Sequence, residues 1–152
     1  MNKNLTTSKA GIALIIRWEG CVLKEYICPA GKPTIGVGHV VLKGEKFPPK
    51  ITREFAEQLL AKDLKQFEAA VYRNITVPLT QNQFDALVCF TFNVGPGGIG
   101  NTGVQRAVNS SDFGAVPAAL EQWSKAKVDG AIVTLPGLLA RRKSEGELFN
   151  RG

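Results

Sequence analysis

The stretch Glu19–His39 reads E-G-C-V-L-K-E-Y-I-C-P-A-G-K-P-T-I-G-V-G-H, and the chain changes its periodicity there. Just before it, from about Thr7 to Trp18, Ile12, Ile15 and Ile16 recur at helical spacing. Thr6, Thr7 or Ser8 is available to cap that helix, and Gly20 to stop it. Within the stretch, and on to Phe47, the helical period is lost. Short extended pieces are punctuated by Pro29, Gly31, Pro33, Gly36, Gly38 and Gly44, which predicts a small, twisted antiparallel sheet with tight turns. Glu19 stands at the seam, on the last turn of the helix, where the macrodipole is negative.

Outward from the seam, helical spacing returns from Thr52 to Tyr72 through Phe55, Leu59, Leu60, Leu64, Phe67 and Val71. Read as one helix at about 1.5 Å per residue, it is roughly 30 Å long, enough to cross a small protein. After Val77-Pro78-Leu79, the run Thr80-Gln81-Asn82-Gln83 is a capping box opening an apolar helix (Phe84, Leu87, Val88, Phe90) that ends at Gly95. Two more helical stretches lie near 116–125 and 136–149, the second with Pro136 suited to a first turn. There are no repeats and no separating linker. At 152 residues, with 44% apolar and 21% charged residues, the chain is expected to be one domain, with lobes of about 1–60 and 61–152. The expected class is α+β: a small N-terminal lobe with a short antiparallel sheet, a long connecting helix and an all-helical C-terminal lobe. A binding cleft belongs where such lobes meet.

Nineteen Lys and Arg against 13 Asp and Glu leave a net charge of +6, which attracts polyanions without choosing among them. Three cysteines are too few for a disulfide scaffold. The apolar run Ile12–Ile16 is interrupted by Arg17 and Glu19, too short for a membrane span and without a cleavage site behind it. The expectation is a protein made in a reducing cytoplasm, without stable membrane association. Lys and Arg are dispersed along the chain, with no recognised nucleic-acid-binding motif, so a nucleic-acid partner is not expected.

Two apparent motifs dissolve on inspection. The run Gly95-Pro96-Gly97-Gly98-Ile99-Gly100-Asn101-Thr102 has the spacing of phosphate-binding loops, but a capped helix precedes it instead of a strand, and Asn101 stands where a lysine belongs. It reads as a helix-to-helix turn. Cys21, Cys28, His39 and Cys89 contain no C-x₂₋₄-C pair, so no metal site is expected, and His39 reads as a hydrogen-bonded structural residue.

Glu19 is different. The negative end of the helix, and partial burial beside Trp18, both disfavour a charged carboxylate, so this acid is expected to hold its proton longer than a surface Glu. Glycosidic bond cleavage needs such a proton, because the leaving oxygen must be protonated as the bond breaks.

The whole stretch resembles the signature of the phage-type lysozymes, or endolysins: a helix-ending Glu, an Asp or Cys nine residues on, and a Thr six further. These offsets fall on Glu19, Cys28 and Thr34, and E-G, Tyr26, Gly31 and T-I-G-x-G-H match as well. The resemblance continues through V-P-L-T-Q-N-Q-F-D-A-L, F-N-V-G and the closing L-x-A-R-R-x-x-E-x-x-L-F. It implies a lysozyme-like fold and a muramidase that hydrolyses the β-1,4 bond between N-acetylmuramic acid and N-acetylglucosamine in peptidoglycan, without cofactor, to release phage progeny. By the same resemblance Glu19 is the general acid, while Cys28 and Thr34 on the sheet across the cleft orient the attacking water. Phe92 and Asn93 line the cleft, and Val40 and Thr102 align with sugar-contacting positions.

Family members with this pattern invert the anomeric centre. Many carry Asp at the position of Cys28. A free thiol has a pKa of about 8.5, so Cys28 is expected mainly to place the water, as a modest base. Cys21, seven residues before Cys28, raises a regulatory disulfide that would withdraw Cys28 from the site; the expectation is that both stay reduced and Cys21 packs in the core. Arg141 and Arg142 read as packing and charge balance, and the sequence leaves open whether one of them or His39 pairs with Glu19. The resemblance also implies a monomer that waits in the host cytoplasm, reaches the periplasm with the help of a holin-type partner, and acts on the wall. The rival reading is a catalytically inactive peptidoglycan-binding module.

Overall fold

Ser8 ends the N-terminal segment by accepting a hydrogen bond from the Gly11 amide, and so nucleates α1, Lys9–Glu19, whose Ile15 and Ile16 face inward. The computed structural model describes residues 2–152. Gly20 closes α1 with its amide on the Ile16 carbonyl (2.7 Å) and a φ of +80°, a left-handed value that turns the chain directly into the sheet. Strands β1 (Val22–Ile27), β2 (Pro33–Gly36) and β3 (His39–Val40) form an antiparallel sheet in that order. Val22 pairs with Gly36 and Tyr26 with Thr34; the register shift between them bends β1.

Two helices occupy the region read as one connecting helix: α2 (Arg53–Asp63) and α3 (Lys65–Asn74), broken at Leu64. Neither Pro nor Gly causes the break. α2 turns Ala56 and Leu60 inward, and Ala56 belongs to the small cluster with Ile35 and Ile51 under the sheet. α3 instead buries Glu68, Ala70 and Val71. Leu60, Leu64, Ala70 and Val71 all enter the main core, so one apolar stripe runs on across the break at Leu64.

α4 (Gln81–Val94) opens with the expected capping box between Thr80 and Gln83, and every residue from Gln83 to Thr91 is buried. α1, α3 and α7 (Pro136–Asn150, with Pro136 in its first turn) pack against it, while α5 (Gly103–Asn109) packs on α6 (Val116–Glu121) and α6 on α7. Gly95–Thr102 is the expected turn, and Thr102 caps α5. The C-terminal lobe is not all-helical. Between α6 and α7 a hairpin of β4 (Lys125–Val128) and β5 (Ala131–Thr134) stands on a turn of Asp129 (φ +51°) and Gly130 (φ +82°). No described helix is long and apolar enough to cross a membrane.

Candidate active site

Glu19 leaves the end of α1 with 27% of its side chain exposed, and its Oε2 meets Arg141 Nη1 at 2.5 Å. That settles the pairing left open by the sequence: Arg141 is the partner. His39 is engaged elsewhere, between Asp63 (2.7 Å) and Glu45 (2.9 Å).

Arg141 is itself held from three sides. It is 4% exposed; its Nη2 donates to the Cys89 carbonyl of α4 at 3.1 Å and its Nε to Glu145 at 3.3 Å. Glu145, fully buried, also lies 3.1 Å from Arg142. Arg142 sits 5.0 Å over the Phe90 ring and donates to Asn93 Oδ1 at 2.5 Å. Two carboxylates and two guanidiniums thus alternate in a chain that runs Glu19–Arg141–Glu145–Arg142, from a wet end at Glu19 to a dry end at Arg142. Burial pushes the Glu145 carboxyl above its ordinary value, against the pull of Arg142 and Arg141. Burial also pushes the Cys89 thiol well up, so it stays protonated within the network.

Cys28 and Thr34 come together at the far end of β1 and β2. The Lys32 carbonyl accepts from both the Cys28 amide (2.9 Å) and the Thr34 hydroxyl (3.0 Å). The hydroxyl has one proton, shared between that carbonyl and the Cys28 sulfur. Backbone amide donation at Lys32, then the Thr34 hydroxyl, and lesser donation from Ala30 and Cys28 itself lower the Cys28 pKa below its ordinary 9.0, outweighing the little desolvation it suffers. Thr34 is 3% exposed. The pair thus sets a thiol of lowered pKa beside a buried hydroxyl.

Val40 and Phe92 line a groove of about 380 Å³ between the sheet and helices α3 and α4, together with Val37, His39 and Phe67. Phe67 and Phe92 meet edge to face at 5.0 Å. An open recess of about 450 Å³ between α6 and α7, lined by Pro117, Glu121 and Gly146, holds none of these residues. Asn93 is tied to Arg142 as described. Thr102 is 5% exposed, donates to the Ile99 carbonyl (2.7 Å) and accepts from the Gln105 amide (3.0 Å), so its hydroxyl is consumed in capping and does not face the groove.

Cys21 and Cys28 are both free thiols. The six residues of β1 lie between them, which at about 3.3 Å each separates them by roughly 20 Å, far beyond the roughly 7 Å a disulfide spans. A bridge would require β1 to leave β2. Cys21 packs against both hydrophobic clusters.

Glu145 carries no role in the sequence reading. Its signal is R-R-x-x-E, which places it three and four residues after two arginines on one helix among apolar neighbours.

The fold sets a carboxyl, held by a buried arginine, at the end of α1, and a thiol and a hydroxyl side by side at the end of a small sheet. Residues 16–145 match the family described as phage lysozyme, and the chain belongs to that family. An endolysin of Acyrthosiphon pisum secondary endosymbiont phage 1 is 41% identical over 142 residues, 93% of this chain and 96% of that protein. Among solved structures, a variant of P22 lysozyme superimposes with a TM-score of 0.84 at 37% identity, covering 96% of this chain and 99% of that one. The muramidase domain of SpmX from Asticcacaulis excentricus gives 0.85 at 37%, covering 95% of this chain and 97% of that one. The protein is a lysozyme, a muramidase whose substrate is peptidoglycan.

Proposed function

We propose that this muramidase cleaves the β-1,4 bond between N-acetylmuramic acid and N-acetylglucosamine with inversion, as an endolysin in host lysis. The Glu19 carboxyl gives its proton to the leaving glycosidic oxygen. Water held by Cys28 and Thr34 attacks the anomeric carbon from the opposite face, and its proton passes to the Cys28 thiolate, which becomes the neutral thiol. Inversion needs the two groups roughly 6.5–9.5 Å apart, room for that water. Arg141 stabilises the carboxylate left after proton transfer. Val40 and Phe92 pack against the sugar rings; Asn93 serves through Arg142. The lobes 1–60 and 61–152 work as one catalytic unit and a monomer, delivered from the cytoplasm by a holin-type partner, and the +6 charge favours the anionic envelope.

The observation that carries this reading is the half-open Glu19 carboxyl gripped by a buried Arg141. A side chain serving only solubility would not be supported by a buried ionic chain. In a turbidity assay on permeabilised cells, Glu19→Gln should lower the rate about 10²–10⁴-fold, the usual share of a general acid. Cys28→Ser should cost much less. Equal losses contradict the positioning role of Cys28, and no release of reducing ends from purified peptidoglycan by the native protein leaves only a binding module.

A further inference from the structure

We propose that the β4–β5 hairpin is an arm that grips the peptide stem of peptidoglycan beside the scissile bond. The proposal rests on the muramidase reading and adds a second recognition element to it. The hairpin is rooted firmly. Trp123, just before it, meets Phe90 of α4 edge to face at 5.8 Å, and the Ser124 carbonyl accepts from the Leu135 amide at 2.8 Å. α7 begins at Pro136, and Arg141, which holds Glu19, lies five residues further. At about 1.5 Å per residue the root of the arm is roughly 8 Å along the axis from the residue that grips the acid.

Beyond its root the arm packs chiefly on itself. Ile132 is 75% exposed, Val128 44% and Val133 39%, and Lys125 and Lys127 are exposed as well. The pairing sets Lys127 opposite Ile132 and Lys125 opposite Thr134, so one face presents two ammonium groups beside an alkyl side chain. Each strand of this two-stranded sheet has an unpaired edge with free main-chain donors and acceptors. The hairpin carries two lysines against the single Asp129. An extended, carboxylate-bearing peptide with aliphatic side chains complements all three features: main chain on an open edge, carboxylates on the lysines, alkyl groups on Ile132. Peptidoglycan carries such a peptide on every muramoyl residue, next to the bond cut. A sugar ring would call for planar amides or aromatic faces, which the arm lacks.

The test compares intact peptidoglycan with the same material stripped of stems by an amidase. Native protein, a Lys125→Glu/Lys127→Glu double variant and Ile132→Ser are assayed for reducing-end release and for co-sedimentation with each polymer. Both variants change exposed side chains, and their melting temperatures should match the native. On intact polymer the variants should show KM raised roughly tenfold with kcat retained, the signature of lost uniform binding. On stripped polymer all three should be alike, and the native protein should lose its advantage. Variants that behave like the native on both polymers, or lose equally on both, overturn the proposal. So does loss confined to co-sedimentation with anionic phospholipid vesicles, which would make the arm a membrane contact. If the native protein releases no reducing ends, the muramidase reading fails, and co-sedimentation with intact against stripped polymer still decides the arm.

Discussion

Arg141 touches Glu19, Glu145 and the Cys89 carbonyl at once, and each contact answers a different need. Glu145 cancels its charge in the dry interior, the carbonyl fixes the plane of the guanidinium, and Glu19 receives what remains. Removing one partner of a buried pair costs about 3–5 kcal/mol because the other charge is stranded. Glu145→Gln should therefore lower the melting temperature by roughly 6–20 °C, at about 2–4 °C per kcal/mol for a chain of this size; a calorimetric scan checks it. Cys28 offers a second test. With its pKa lowered by hydrogen bonds, its alkylation by iodoacetamide should accelerate at a lower pH than in Thr34→Val, which removes one of them. A profile unchanged by Thr34→Val would remove the hydroxyl from the account. The offsets that single out Glu19, Cys28 and Thr34 in the sequence are local. Arg141 was legible only as a basic residue, since its partner lies 122 positions away.

At the scale of elements, α1 must be held at its start for Glu19 to be placed at its end. Asp85 of α4, fully buried, accepts from the Ser8 amide at 3.0 Å and from the Ser8 hydroxyl, while Gln81 braces it at 2.8 Å. Glu68 of α3 accepts from the Thr7 amide and hydroxyl at 2.8 and 2.7 Å. The fit leaves no room at Gly11, where an added Cβ would stand 2.7 Å from Asp85 Cγ and 2.8 Å from Thr7 Cγ2. Gly11→Ala should cost about 1–3 kcal/mol, the usual toll of overpacking, read as a lower urea midpoint at constant m-value. Elements whose signals are local matched their reading: the cap at Ser8, the box at Thr80, Pro136 on α7. The β4–β5 hairpin did not, although Asp129-Gly130 between K-A-K-V and A-I-V-T is a strong hairpin signal. It was passed over because helical runs flank it on both sides.

For the whole molecule, His39 joins β3, the loop at Glu45 and α2 through Asp63. Burial alone would lower the His39 pKa, but hydrogen bonds to Glu45 and Asp63 and their negative charges outweigh it and raise it above 6.5. The Leu42 amide, then His39, lower the Glu45 pKa below 4.5. A raised His contributes stability in full below 6.5 and loses it as pH climbs through the folded value. A lowered Glu contributes above 4.5 and loses it as pH falls. The melting-temperature gap between native protein and His39→Gln should thus be widest near pH 4.5–6.5 and shrink toward pH 9. A gap flat with pH would show that the pairing adds no charge-dependent stability.

Local order is what the sequence by itself determined: the helix ending at Glu19, the glycine-punctuated sheet that carries Thr34 and ends at Cys28, and the capped, largely apolar α4. Each follows from residues within a few positions of one another. Contacts between distant segments were decided only in three dimensions. The helix pair broken at Leu64 stands where one helix was read, the hydroxyl of Thr102 is spent on a cap, and Glu19 finds Arg141 because α1 and α7 both pack against α4. Periodicity specifies which face turns inward, whereas the partner met there depends on how every other element has packed.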